Sequence, residues 1–234
     1  MAVILSLVWG RRAPGFLIAT VASACLTSAG CGLQDYEARM ETQQNRLRYL
    51  ELQNQNLEPY KLQLPDRKPE DDLAKEEFFM RPPKGISGDG DDKIIGSDIA
   101  HFPANGGTPI RDVWVAAVKR DNDKKFQKDV LELLKINARK VQTKTVGGVG
   151  MPQLPFDWIH DDQGAKGIFD AYFYKKSPFL AAIVFRTEGN KENAVTTPPQ
   201  IDYALASLRL GSEAKAQRLG KSNATSFKTT KPPK

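Results

Sequence analysis

Only two histidines occur in the 234 residues, His101 and His160. The second sits in the densest run of titratable groups, Asp157-Trp158-Ile159-His160-Asp161-Asp162. If this run is an extended strand, alternation places Asp157, Ile159 and Asp161 on one face and Trp158, His160 and Asp162 on the other. A carboxylate beside an imidazole is the pairing of a general base with its orienting acid, or half of a metal site. One reading is therefore a hydrolase or metal-dependent enzyme using His160 with Asp157 or Asp162. The bland reading is a hairpin, because a turn uses the same carboxylates. Asp170, between Phe169 and Ala171, is expected to pair with Lys175 or Arg186 as a structural group. Trp158, Tyr172 and Tyr174 could line a binding face, although aromatics in strands usually fill a core.

Other chemistries lack their residues. There is no Gly-x-Ser-x-Gly elbow. Gly147-Gly148-Val149-Gly150 lacks the Lys-Ser/Thr of a phosphate-binding loop. Ser87-Gly88-Asp89-Gly90-Asp91-Asp92 invites a calcium ion, but Lys93 stands where a further acid is needed and no glutamate closes the loop. Both cysteines, Cys25 and Cys31, lie near the start. From Gly32 onward the chain has no thiol for catalysis, metal binding or a disulfide. The expectation is a non-enzyme with no catalytic, metal or cofactor-binding residues and no cofactor.

The residues around those cysteines give an address. Arg11 and Arg12 precede an apolar run, Phe16 to Ala22, followed by small residues up to Gly30. A basic stretch, a short apolar core and a small-residue cleavage zone form a secretory signal peptide. The run is shorter than the roughly 20 apolar residues that span a bilayer. Ser28-Ala29-Gly30-Cys31 resembles the lipobox of bacterial lipoprotein precursors, with Ser28 standing where that pattern carries leucine. The resemblance covers about the first thirty residues. It implies a diacylglyceryl group on Cys31 and cleavage that leaves this cysteine as the new N-terminus. It also implies a cell-envelope location, lipid-anchored on the exported side of a bacterial membrane. Ala22-Ser23-Ala24-Cys25 is a second site of the same type. Using it would cut the apolar run short and leave Cys31 as a free thiol.

Residues 31–58 follow as a patterned helix. Leu33, Tyr36, Met40, Gln43, Leu47, Leu50, Asn54 and Leu57 recur at alternating steps of three and four, a heptad seam. Arg46 and Glu51 occupy the flanking positions that meet between neighbouring parallel helices. A homo-oligomer through 33–57 is expected, the alternative being a lone amphipathic helix. Pro59 ends the segment.

Residues 59–109 carry seven of the fifteen prolines and a Gly/Asp cluster, and are expected to be a flexible linker. A short helix over Glu70 to Met80 could dock Phe78, Phe79 and Met80 on the later domain. Residues 110–210 can support a core. The pattern predicts strands at 112–119, 141–146, 156–160, 167–174 and 179–187, with helices over 124–137, capped by Asp121 or Asp123, and 200–210. That order implies an α+β domain, a small antiparallel sheet with helices packed against it. The strands at 167–174 and 179–187, apolar on both faces, belong at the sheet centre. Residues 211–234 hold six Lys or Arg against Glu213 alone and are expected to be a disordered tail for an anionic envelope polymer. Nucleic acid is not an expected partner. The whole predicts a membrane-anchored lipoprotein whose domain binds or scaffolds. An exported enzyme and a soluble secreted binding protein are the alternatives.

Overall fold

The computed structural model describes residues 14–64, 75–90, 99–119, 122–138, 140–148, 151–162, 167–189 and 198–218, with the backbone alone for 14–32. Helix α1 runs Pro14–Asn56. A 3-10 turn, Lys75–Glu77, leads into β1 (Phe78–Phe79), followed by β2 (Ile99–Pro103) and β3 (Ile110–Lys119). Then come α2 (Asp123–Leu134), β4 (Val141–Val146), β5 (Leu154–Asp161), β6 (Ile168–Lys176) and β7 (Phe179–Thr187). The described chain closes with α3 (Pro199–Ala206), β8 (Arg209–Leu210) and α4 (Ser212–Arg218).

The result is an α+β domain. Six strands form one sheet in the order β2-β3-β7-β6-β5-β4, and every neighbouring pair is antiparallel. As the apolar runs require, β7 and β6 are central. Strands β4 to β7 follow one another as hairpins, and α2 carries the chain from β3 across the sheet to the far edge. Asn122, rather than either aspartate, caps α2: its side chain accepts from Lys125 N–H at 3.0 Å. Lys135 turns left-handed, and Ile136 N–H reaches back to the Leu131 carbonyl at 2.9 Å, so the helix ends earlier than its pattern suggests.

Each sheet face carries its own core. Phe126, Val130 and Leu131 of α2 pack on Ala116, Val118, Ile159, Ala171, Phe173, Ala182 and Val184. The opposite face presents Val113, Val115, Phe156, Tyr172, Ile183 and Phe185, covered by Ile201, Leu205 and Leu208.

Much of that second cover comes from the segment expected to be a linker. Leu62, Phe78, Met80, Ile86 and Phe102 are fully buried against this face. Their backbone is pinned: Leu62 N–H donates to Met80 C=O at 3.0 Å, Gln63 N–H to Gly88 C=O at 2.8 Å, and Ser87 N–H to Pro103 C=O at 3.0 Å. Phe78 pairs across to Leu210, so it lies in a strand and not in the helix expected over 70–80. β2 is an edge strand, the place where its terminal Pro103 costs no ladder hydrogen bond. The described parts of 59–109 therefore belong to the folded domain; 65–74 and 91–98 lie outside the described residues. Ser87 to Gly90 of the acidic turn pack beside Tyr60 and Phe102, whereas Asp91 to Lys93 lie outside the description.

The domain also extends past 210. Gly211 takes φ +65°, and a Cβ there would lie 2.6 Å from the Phe179 ring, so only glycine fits this reversal. α4 then folds back and buries Ala214. The expectation of a disordered tail fails for 212–218; residues 219–234 lie outside the described residues. Glu77 holds this end in place, its carboxylate 2.6 Å from Lys119 Nζ and 3.2 Å from Lys215 Nζ. Burial acts to raise the Glu77 carboxyl, but the two ammonium groups outweigh it and hold it below the usual carboxylate range. A group with a depressed folded value contributes stability above its unfolded value, near 4.3, and loses it as pH falls through the folded value. Glu77→Gln is expected to cost about 1 kcal/mol, or about 2–4 °C in Tm, at pH 7. That difference from wild type shrinks below about pH 4; thermal melts at pH 7 and pH 3 check it.

Candidate functional site

The sheet puts the two histidines on opposite faces, each beside a carboxylate. In β5 the side chains alternate as predicted, with Trp158 and His160 on the face covered by α1 and α3. The register sets His160 directly opposite Asp170 of β6. His160 Nδ1 lies 2.8 Å from Asp170 Oδ1, and Trp158 Nε1–H donates to the same oxygen at 3.0 Å. A carboxylate can only accept, so Nδ1 carries a proton and donates it to Asp170. Asp170 is buried, whereas the His160 side chain is about a third exposed.

Asp170 is thus the carboxylate that orients His160, and neither expected partner plays that part. Asp157 lies on the α2 face, where Gln127 donates to it at 3.1 Å. Asp162 follows the end of β5 and is exposed. Asp161 accepts from Asn137 N–H at 2.9 Å and closes the loop after α2. The expected partners of Asp170, Lys175 and Arg186, bind elsewhere: Lys175 reaches Asp123 at 3.0 Å and Arg186 pairs with Asp112.

Aromatic rings and one lysine surround the pair. Trp158 stacks on Tyr172 with ring centres 6.4 Å apart and tilts against His160 at 5.7 Å. Lys144 Nζ sits 5.8 Å from the centre of the Trp158 ring and 5.5 Å from that of Tyr172, and pairs with Asp202 of α3 at 2.7 Å. Tyr172 is core, as the bland reading of these aromatics holds; Trp158 and Tyr174 are half-buried. Near this group α1 seats on α3 through Tyr49 and Tyr203, whose ring centres are 5.5 Å apart. Burial raises the Tyr49 phenol and lowers the Arg209 guanidinium, which spends its N–H groups on the Ala206 and Leu208 carbonyls.

On the α2 face His101 Nε2–H donates to Asp112 Oδ1 at 2.6 Å, and Arg186 takes the other oxygen. His101 stacks on Trp114 at 5.2 Å, and the Arg186 guanidinium lies 5.8 Å from the centre of the same ring. This buried carboxylate is held by one hydrogen bond, from His101, and one ion pair, with Arg186, a structural arrangement.

The chemical capacity of the His160 pair is that of an oriented base. No hydroxyl is hydrogen-bonded to His160 among the described residues, and no three His, Cys, Asp or Glu side chains among them converge as a metal site would need. Cys31 lies in α1, where the backbone alone is described.

No protein-family model matches the sequence, and no curated protein matches it. Among solved structures, the chain is similar to a protein of Bacteroides thetaiotaomicron determined at 1.50 Å resolution, with a TM-score of 0.41 and 10% sequence identity. The match covers 63% of this chain and 50% of that protein. The chain therefore spans half of that protein's length.

Proposed function

We propose that this is an exported lipoprotein of a bacterial cell envelope, anchored through Cys31, whose α+β domain binds or scaffolds without catalysis. The observation that carries this reading is the course of α1. Ser28-Ala29-Gly30-Cys31 lies in the same continuous helix that enters the domain. Between Leu33 and Arg48 every side chain of that helix is exposed, and from Tyr49 to Leu57 it is seated on the domain. Sixteen bare helical residues make a stalk of roughly 24 Å. The domain then stands off the lipid at a set distance, without the long flexible spacer that composition suggested. Lipid chains contribute about 0.8 kcal/mol per buried CH₂, so two chains anchor stably. No described helix is long and apolar enough to cross a membrane. The basic residues after 218 would meet an anionic envelope polymer or lipid headgroups.

The test is the mass of the mature N-terminus, from wild type and from Cys31→Ala made in a bacterial host. A diacyl- or triacyl-modified Cys31, lost with membrane retention in the variant, is the expected result. An unmodified terminus cut near Ala29 would replace the tether with the soluble secreted reading, and lipid on Cys25 would move it. One observation favours a second reading, an enzyme built on His160: the hydrogen bond that Nδ1–H donates to the buried Asp170 orients the imidazole as a general base is oriented. If His160→Ala leaves the fold and every bound partner unchanged, that enzyme reading ends.

A further inference from the structure

The heptad seam divides into two parts with different fates. In its second part Leu57 is buried in the domain core, and Asn54 accepts from Arg81 Nη1 at 2.8 Å. A seam through 33–57 is therefore not open to a partner. In its first part Leu33, Tyr36, Met40 and Leu47 are 60%, 60%, 43% and 64% exposed, large apolar side chains on a stretch of helix that is exposed throughout among the described residues. At about 100° per residue this stripe lies nearly half a turn from Tyr49, Gln53 and Asn56, the side that faces the domain. A second helix can lie along it without meeting the domain that this helix carries.

We propose that the stripe Leu33–Leu47 pairs in parallel with the same stripe of a second copy of this chain. The flanking charges select both the partner and the direction. In a parallel pair Arg46 of one copy faces Glu51 of the other, an attraction formed twice, and Arg39 faces the neutral Gln44. In an antiparallel pair Arg39 of one copy falls beside Arg46 of the other, a repulsion formed twice. A lipid surface fits less well. Residues 33–48 carry Asp35, Glu37 and Glu41 against Arg39, Arg46 and Arg48, a net of zero. Helices that lie on anionic lipid are rich in Lys and Arg instead. With two heptads and Gln43 in the seam the contact is weak alone, and confinement to one surface would supply the effective concentration it needs.

Cysteine cross-linking tests the pairing in the full chain expressed in a bacterial host. Met40→Cys lies on the seam and Glu41→Cys points away from it. Each is placed in two backgrounds, Cys25→Ser with Cys31 kept, and Cys25→Ser with Cys31→Ser. Under mild oxidation Met40→Cys is expected to give at least five times more covalent dimer than Glu41→Cys, in one background or both. Leu47→Glu, at a position 64% exposed in its own chain, should return that yield to the Glu41→Cys level. A dimer formed only with Cys31 kept shows that pairing depends on the tether. Equal yields at 40 and 41 in both backgrounds would overturn the pairing. So would protection of Met40→Cys from a water-soluble maleimide without any dimer, which would put the stripe in lipid.

Discussion

Replacing Phe78 by Ala is expected to destabilise the domain by about 3–5 kcal/mol, the cost of emptying a fully buried aromatic site. Phe78 is buried completely, pairs with Leu210, and packs in the core that also holds Leu62, Met80 and Phe102. Emptying its site leaves a void beneath α3 and α4 that a two-residue strand cannot move to fill. Leu47→Ala removes an equally apolar side chain that is 64% exposed, and should change stability by no more than about 0.5 kcal/mol. Urea unfolding of the two variants separates them. If Phe78→Ala proved as mild as Leu47→Ala, the segment from 57 to 90 would be a spacer after all.

The second large effect is expected at Asp170. Asp170→Ala strands the indole N–H of Trp158 and the Nδ1–H of His160, both of which donate to Oδ1. An unsatisfied buried donor costs about 1–3 kcal/mol, so a loss of about 2–4 kcal/mol is expected for the two. Asp170→Asn keeps an acceptor oxygen and should lose about half as much. His160→Gln, at a side chain a third exposed, should cost about 1 kcal/mol. That order, Ala worst and the His160 change mildest, marks Asp170 as the centre of a supporting network. A His160 variant as damaging as Asp170→Ala would reverse the dependence.

The sheet and α2 were legible because their apolar residues are dense and periodic. Trp114 to Val118, Phe169 to Tyr174 and Phe179 to Phe185 announce buried strands wherever they sit. Residues 57–90 were not legible. Leu57, Leu62, Phe78, Met80 and Ile86 enter the core one at a time from irregular backbone, with no period to detect. Prolines and carboxylates set the composition between them, and the described parts are held by hydrogen bonds to one another, as Leu62 to Met80, and to β2 and β8. β2 was hidden in the same way, a short apolar run between a masking Asp/Gly cluster and Pro103.

The site was half legible. Alternation in β5 correctly separated His160 from Asp157. The partner was missed because Asp170 reaches His160 only through the β5–β6 register, which depends on how many residues the intervening turn absorbs. For α1 the heptad repeat announced a helix. Among the residues that seat it on the domain, Tyr49, Gln53 and Asn56 lie off the seam and carry no repeat of their own.

The central claim is that α1 is a rigid stalk continuous with the domain. The most direct test is the spin-label distance between Glu41→Cys on α1 and Lys128→Cys on the outer face of α2, in a background without Cys25 and Cys31. A stalk seated through Tyr49 to Leu57 predicts a narrow distance distribution, and one that broadens when Tyr49 and Leu57 are both changed to serine. A distribution already broad in the otherwise unaltered chain would mean that the helix swings on a joint, and would contradict the account.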